Sequence, residues 1–234
     1  MRKGNGLRIR LSPRGAATSA ELATRFGDVD LCRDNQAVID ESDVVLACIR
    51  PQGADAVLRP LSFRTGQTVI SAVAGLRLST LEPLVAPATA CRAIPLPALA
   101  QGAGVTPVFP PNASARALFE RLGGVAEVAD EARFDAFSAA TATIAAHIAY
   151  LNAVSSWLVA HGIDRDAANG YVAGTFAGLD LTMARGVTLG DLARHHATPG
   201  GINDAFALDL TTAGFLDAVR IGLDRTLERL NDRG

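Results

Sequence analysis

The chain is poor in the residues that announce a specialised chemistry. Its three cysteines, Cys32, Cys48 and Cys91, are scattered with no CxxC pair, which excludes a disulfide framework or zinc ribbon and fits a reducing compartment. Cys48 falls in the apolar run at 44–49 and is expected to be a buried, inert thiol. No HExxH motif or carboxylate cluster is present, so no metal site is expected. Aromatic residues make up only 5%, and much of the 49% hydrophobic content is alanine, which favours closely packed helices. Neither sign of charge dominates: the net charge is −2 and the pI about 6.1, without the basic footprint of a nucleic-acid or membrane-surface partner. The basic start at residues 1–6 is followed by no apolar core of a signal peptide. No apolar stretch reaches the roughly 20 residues that a membrane span needs. A soluble, cytoplasmic protein is expected.

What is present is a chain of two halves. With 234 residues, one to two domains are expected. Residues 7–11 read as a strand, Ser12-Pro13-Arg14-Gly15 as a turn, and 17–26 as a helix ending at Gly27. Residues 44–49 form a continuous apolar run of the kind a buried parallel strand shows, stopped by Pro51. Residues 68–72 repeat the pattern and meet Gly75, and 90–94 do so again before Pro95 and Pro97. This rhythm predicts an α/β, Rossmann-type parallel sheet with right-handed crossovers. The second half is all-α. Residues 134–160 read as one long helix, apolar all round and therefore buried. A second helix follows Asp164 as N-cap and ends near Gly186. Thr188 and Asp191 have capping-box spacing for a short helix ending at His195 and His196, which read as cations meeting the helix dipole. Helices over 204–210 and 215–232 complete the set. The boundary is placed near 126–130, giving domains 1–128 and 129–234. A helix buried on every side needs more partners than five helices supply, so a homodimer through the second half is expected.

Ligands of open parallel sheets sit at the carboxyl ends of the strands. Here those ends carry Ser12 and Arg14, Arg50 and Pro51, Ala74 and Gly75, and Pro95-Leu96-Pro97. Singly each is a weak signal; Arg14 could be a surface arginine and Gly75 a strand end. Their joint order resembles pyrroline-5-carboxylate reductases. Ser71-Ala72-Val73-Ala74-Gly75-Leu76 with Leu81-Glu82 is similar to that family's S-x-x-A-G-(I/V)…L-E, and Asp43 to Gln52 to its D-V-(V/I)-(L/F)-x-(A/V)-V-K-P-Q. Asp135-Ala136, Gly162-Ile163-Asp164, Thr175, Gly178, Thr198-Pro199-Gly200-Gly201 and Gly214-Phe215 keep the family's order through the helical half.

The resemblance implies an NADPH-dependent reductase of a C=N bond in a small cyclic imine. Ser12 and Arg14 would contact the adenosine 2′-phosphate, since no acidic residue closes this strand to take a ribose hydroxyl. Asn35, Arg50 and Pro51 would flank the cofactor, and Ala74 and Gly75 the nicotinamide carboxamide. The loop of Thr198, Gly200 and Gly201 opens a helix, so its amides could hold an anionic or polar substrate group. The related 3-hydroxyacid dehydrogenases use a helical-domain lysine as acid/base, whereas the single lysine here is Lys3.

The sequence departs from the family in four places. The opening strand and G-x-G-x-x-(A/G) turn are missing, and Gly4-Asn5-Gly6 reads only as a loop before the first strand. Loss of a central strand should leave unpaired backbone groups on its two neighbours. Either Met1 is an internal start, the reading preferred here, or cofactor binding is weak or lost. The family's T-x-L-S-G-S-G-P-A-Y becomes residues 138–147, helix formers with Thr141 and Thr143 as the remaining substrate-side hydroxyls and His147 in place of the tyrosine. His147 is a satisfied core histidine or a proton donor. Asn203 stands where a threonine is usual and is either an imine hydrogen-bond partner or a helix cap. Pro95-Leu96-Pro97 is shorter and less polar than P-N-T-P. These losses leave a second reading open: a non-catalytic, dimeric binding or regulatory protein on the same scaffold.

Overall fold

The computed structural model describes residues 6–183 and 187–232, so Lys3 and the expected helix end near Gly186 lie outside the described residues. Strand β1 (Ile9–Leu11) runs into Ser12, whose hydroxyl accepts from the Arg14 amide and caps a 3-10 turn at Pro13–Gly15. Helix α1 (Ala16–Arg25) follows, then β2 (Val29–Leu31), parallel to β1. Asp34 caps α2 (Asn35–Asp40) by accepting from the Ala37 amide at 2.7 Å. Then come β3 (Val44–Ala47), α3 (Ala54–Leu58), β4 (Thr68–Ser71), α4 (Leu78–Val85) and β5 (Thr89–Ala93). β3, β4 and β5 lie side by side and parallel. β6 (Thr106–Phe109) turns back antiparallel to β5, and β7 (Val125–Glu127) pairs parallel to β6 after α5 (Ala113–Glu120). The chain is therefore α/β with a parallel-dominated sheet and a helical C-terminal region, with the antiparallel β6 as a departure from the purely parallel expectation.

β4 is the spine of the core. Val69 and Ile70 are fully buried on opposite faces, Val69 with Leu81 and Val85 of α4, Ile70 with Cys91, Val108 and Phe119. That alternation follows from the two-residue period of a strand covered on both sides.

The sheet is in two pieces, β1–β2 and β3-β4-β5-β6-β7. Among the described residues neither β1 nor β3 has a strand on its other edge. The orders β2-β1 and β3-β4-β5 match the doubly wound order 3-2-1-4-5-6 with its first strand left out, and the expected unpaired backbone is found on these two neighbours. As a consequence Val44 and Leu46 are exposed, at 39% and 45%, although their run reads as a buried strand. Helix α2 ties the pieces together. On one side the Ser12 hydroxyl donates to Asn35 Oδ1 at 2.6 Å and Arg10 pairs with Glu41 at 2.7 Å. On the other, the buried Gln67 side chain donates to the carbonyls of Ile39 and Ser42 and accepts from the Arg64 amide. A buried amide with all these partners costs little.

Helices α6 (Glu131–Ala140), α7 (Thr143–Ala160), α8 (Arg165–Met183), α9 (Leu189–His196), α10 (Ile202–Thr212) and α11 (Phe215–Asn231) make up the rest. By contacts the chain divides into one unit of Met1–Ser138 with Arg229–Gly234 and another of Ala139–Glu228. The single helix expected over 134–160 is two helices. The Ala142 amide donates to Ala139 O at 3.0 Å and the Ile144 amide to Thr141 O at 3.2 Å, short-range bonds that tighten the chain into a turn between α6 and α7. Nor is α7 buried in one copy of the chain: Ile148 and Trp157 are each 60% exposed, because α8 covers only one flank, where the Ser155 hydroxyl donates to Asn169 Oδ1 at 2.6 Å. Glu131–Ala160 is also long and apolar enough to cross a membrane by length and composition, contrary to the sequence reading. The turn and the buried ion pairs of α6 described below weigh against a span. Asp164 and Thr188 act as the expected caps of α8 and α9.

Candidate functional site

Three strand ends stand level in the first unit. Ala47 and Ser71, the last residues of β3 and β4, are in register with Arg92, one residue before the end of β5, so the strands finish level to within one residue along one edge. After β3, Arg50 and Pro51 begin an exposed 3-10 turn, Pro51–Gly53. After β4, the Ser71 hydroxyl accepts from the Val73 amide at 3.3 Å and the Leu76 amide donates to Val73 O at 3.4 Å. The turn so formed presents Ala74 and Gly75 at its tip. Gly75 has φ +74°, a conformation other residues resist. A Cβ there would meet nothing within 4 Å, leaving room for a flat ligand to lie close to the backbone.

Ser12, Arg14 and Asn35 gather at the end of the small sheet. Ser12 bonds both Asn35 and the Arg14 amide, and the Arg14 side chain is exposed. The nearby acid, Asp34, spends one oxygen capping α2 and holds Arg33 at 3.3 Å with the other, so its charge is compensated. A cavity of about 490 Å³ lies between this sheet and α2, lined by Arg8, Arg10, Cys32, Ala37 and Glu41 among others.

Cys48, at the end of β3, is exposed and not buried as expected, because its strand is the edge of its sheet. Partial packing still pushes its thiol pKa up, which keeps it a poor nucleophile. Burial pushes Cys91 up to about 12.

In the helical unit the loop of Thr198 is knitted to itself. The Gly201 amide donates to Thr198 O at 2.8 Å, and the Gly200 amide to Asp204 Oδ2 at 3.0 Å. Two of the amides offered to a substrate are thus engaged, and a carboxylate sits beside the start of α10. Asn203 is not the helix cap, which is Gly201; its side-chain amide donates to His196 O at 3.0 Å and fastens α10 to the end of α9. The Thr143 hydroxyl donates to Ala140 O at 2.7 Å, and Thr141 lies in the turn before it. His147 is exposed in one copy, not a core histidine, with Tyr150 and Phe176 at ring distances of 6.4 and 6.1 Å.

Sequence reasoning missed a buried charge cluster behind the Gly75 turn. Arg92 Nη1 lies 2.7 Å from Glu131 and 3.0 Å from Asp135, with its guanidinium 4.4 Å above the Phe134 ring. Glu131 also accepts from the Leu78 amide at 2.8 Å. Partners this far apart in sequence leave no local pattern to read.

Comparison with known proteins falls in line with this geometry. Residues 131–232 match the family described as "Pyrroline-5-carboxylate reductase dimerisation", and residues 3–75 match "NADP oxidoreductase coenzyme F420-dependent". The chain is 26% identical over 234 residues to the pyrroline-5-carboxylate reductase of Pseudomonas aeruginosa, covering 94% of this chain and 85% of that protein. The solved 1-pyrroline-5-carboxylate reductase of Streptococcus pyogenes superimposes with a TM-score of 0.82 at 23% identity, covering 98% and 91% of the two chains. The Plasmodium falciparum pyrroline carboxylate reductase, solved with NADP bound, gives 0.78 at 17% identity, covering 98% of each.

Proposed function

We propose, from the premise that this chain belongs to the pyrroline-5-carboxylate reductase-like family, that it is a cytoplasmic, homodimeric, NADPH-dependent reductase of a small cyclic imine. The observation that carries the reading is the level edge of β3, β4 and β5 with the Gly75 turn at its centre. Ser12, Arg14 and Asn35 would hold the adenosine end, with Arg14 as the cation for a 2′-phosphate and Asp34 already compensated. Arg50 and Pro51 would border the cofactor, while the Gly75 turn allows close backbone approach. The nicotinamide, when bound, supplies a hydride to the imine carbon. The protein's part is to orient the imine, exclude water and favour its protonated form. His147 is the candidate proton donor, and the hydroxyls of Thr141 and Thr143 with Thr198 are the candidate substrate contacts; the Gly200 and Gly201 amides would have to exchange their bonds to Asp204 and Thr198 O to join them. Asn203 Oδ1 remains available to an imine N–H, since its Nδ2 serves His196.

Two observations narrow the substrate and the affinity. Asp204 beside the amides of the Thr198 loop disfavours an anion there, so an uncharged cyclic imine fits better than a carboxylate-bearing one. Among the described residues the split sheet carries no glycine-rich turn to deliver a pyrophosphate to a helix N-terminus, so NADPH binding by these 234 residues is expected to be weak. The same split favours the second reading, a non-catalytic dimeric protein. Titration with NADPH followed by fluorescence, and imine-dependent NADPH oxidation with 1-pyrroline-5-carboxylate and an uncharged 1-pyrroline, test both. NADPH binding with turnover supports the reductase. No binding by this chain or by one extended upstream with a strand and glycine-rich turn would leave the non-catalytic reading.

A further inference from the structure

We infer that Glu131 is a positioning residue for the Gly75 turn, acting through the backbone of α4 and held in place by Arg92. The need for it arises at the start of α4. A helix N-terminus leaves donors without intrahelical partners, and the residue before the helix usually supplies a side-chain acceptor. Here that residue is Arg77, which has no acceptor and makes no side-chain cap. The Leu78 amide is satisfied from α6, where Glu131 Oε1 accepts it at 2.8 Å. A carboxylate at this end of a helix also meets the positive pole of its dipole.

Glu131 is itself fixed by its second contact, since Arg92 Nη1 donates to the same oxygen at 2.7 Å. Arg92 is buried, lies over Phe134 and is shared with Asp135 at 3.0 Å, so it has little freedom to follow a moving partner. The turn that carries Ala74 and Gly75 is thus held at both ends: by Ser71 at the Val73 amide and by Glu131 at the Leu78 amide. Between them the tip carries the long 3.4 Å bond from Leu76 to Val73, and the Arg77 carbonyl accepts from the Thr80 and Leu81 amides at 3.1 and 3.0 Å. Loss of the Glu131 contact would release the Leu78 amide and loosen the far end, which the Arg77 guanidinium still ties to Asn231 O at 3.3 Å, while leaving β4 and β5 paired.

The functional consequence rests on the nicotinamide reading of Ala74 and Gly75; the positioning itself does not, and the test separates the two. Backbone hydrogen exchange is measured on the whole chain for Glu131→Gln and Glu131→Ala. Glutamine keeps a carbonyl acceptor for Leu78, so exchange at residues 75–78 should stay within about threefold of the parent, whereas alanine should speed it by at least about tenfold. Amides of β4 and β5 should be unchanged in both. Equal acceleration in the two variants, acceleration spread over the sheet, or none in alanine overturns the inference. NADPH titration of the same variants reads the function: affinity lost in alanine and kept in glutamine ties the turn to the cofactor, while exchange effects without any change in NADPH affinity would refute the nicotinamide reading alone.

Discussion

Removing the Arg92 side chain by Arg92→Met should be among the most damaging substitutions in the first unit. Arg92 is 3% exposed and faces two carboxylates, Glu131 at 2.7 Å and Asp135 at 3.0 Å. Methionine fills much of the same space, so the loss is electrostatic and not a cavity. Breaking a buried pair from one side leaves an uncompensated charge and costs about 3–5 kcal/mol. Asp135, at 4% exposure, bears the full penalty, while Glu131 keeps some access to water and its Leu78 contact. These differences place the expected cost near the lower end, about 3 kcal/mol, a large share of a total stability of about 5–15 kcal/mol. For a chain of this size that is a fall in Tm of about 6–12 °C. Urea denaturation at fixed pH, with midpoint and slope both fitted, is the assay. The triple variant Arg92→Met, Glu131→Gln, Asp135→Asn removes every charge together and should regain most of the loss, since the cost lies in the orphaned carboxylates. A single variant within about 1 kcal/mol of the parent, or a triple variant no better than the single, would refute the argument.

Three further outcomes follow from other parts of the molecule. Ile148→Glu combined with Trp157→Glu places charge on the exposed apolar face of α7 and should turn a dimer into a monomer in sedimentation at micromolar concentration, with helix content kept; burying each such side chain is worth about 1.5–3 kcal/mol. Burial raises the Cys91 thiol to about 12, above the value of about 8.5–9 in the unfolded chain. Stability owed to the neutral thiol is complete below pH 9 and is lost as pH rises toward 12, so Cys91→Ala should flatten the parent's alkaline slope by up to about 1.4 kcal/mol per pH unit, read from urea midpoints. Gly75→Ala meets no steric neighbour but must adopt φ +74°, so it should cost about 1–2 kcal/mol and weaken NADPH binding while leaving the sheet intact by circular dichroism.

Much of the framework can be read from residue order, because it depends on short-range chemistry. The apolar runs at β3, β4 and β5, the cap at Asp164 and the Thr188–Asp191 pair all declare themselves within a few residues. β2 does not, since Val29-Asp30-Leu31 is only three residues long and carries a charge that pairs with Arg10 on the neighbouring strand. The antiparallel turn of β6 is likewise a tertiary choice, with no signature in Thr106-Pro107-Val108-Phe109. At the candidate site, the grouping of Ser12 with Asn35 follows from their strand-end and helix-start positions. The diversion of Asn203 to His196, and the roles of Arg92 and Glu131, depend on partners that only folding supplies.

The bare flanks of β1 and β3 carry a practical consequence for handling the protein. Among the described residues each offers a row of amide and carbonyl groups with no strand against it, on β3 beside the exposed Val44 and Leu46, a template on which another copy can add strand by strand. Where β3 of one copy pairs with β1 of the next, the stitching is head-to-tail and can extend, and it would compete with any symmetric pairing through the helices. Turbidity that grows with concentration, and that recedes when lysine replaces Leu46, would be its mark in the test tube.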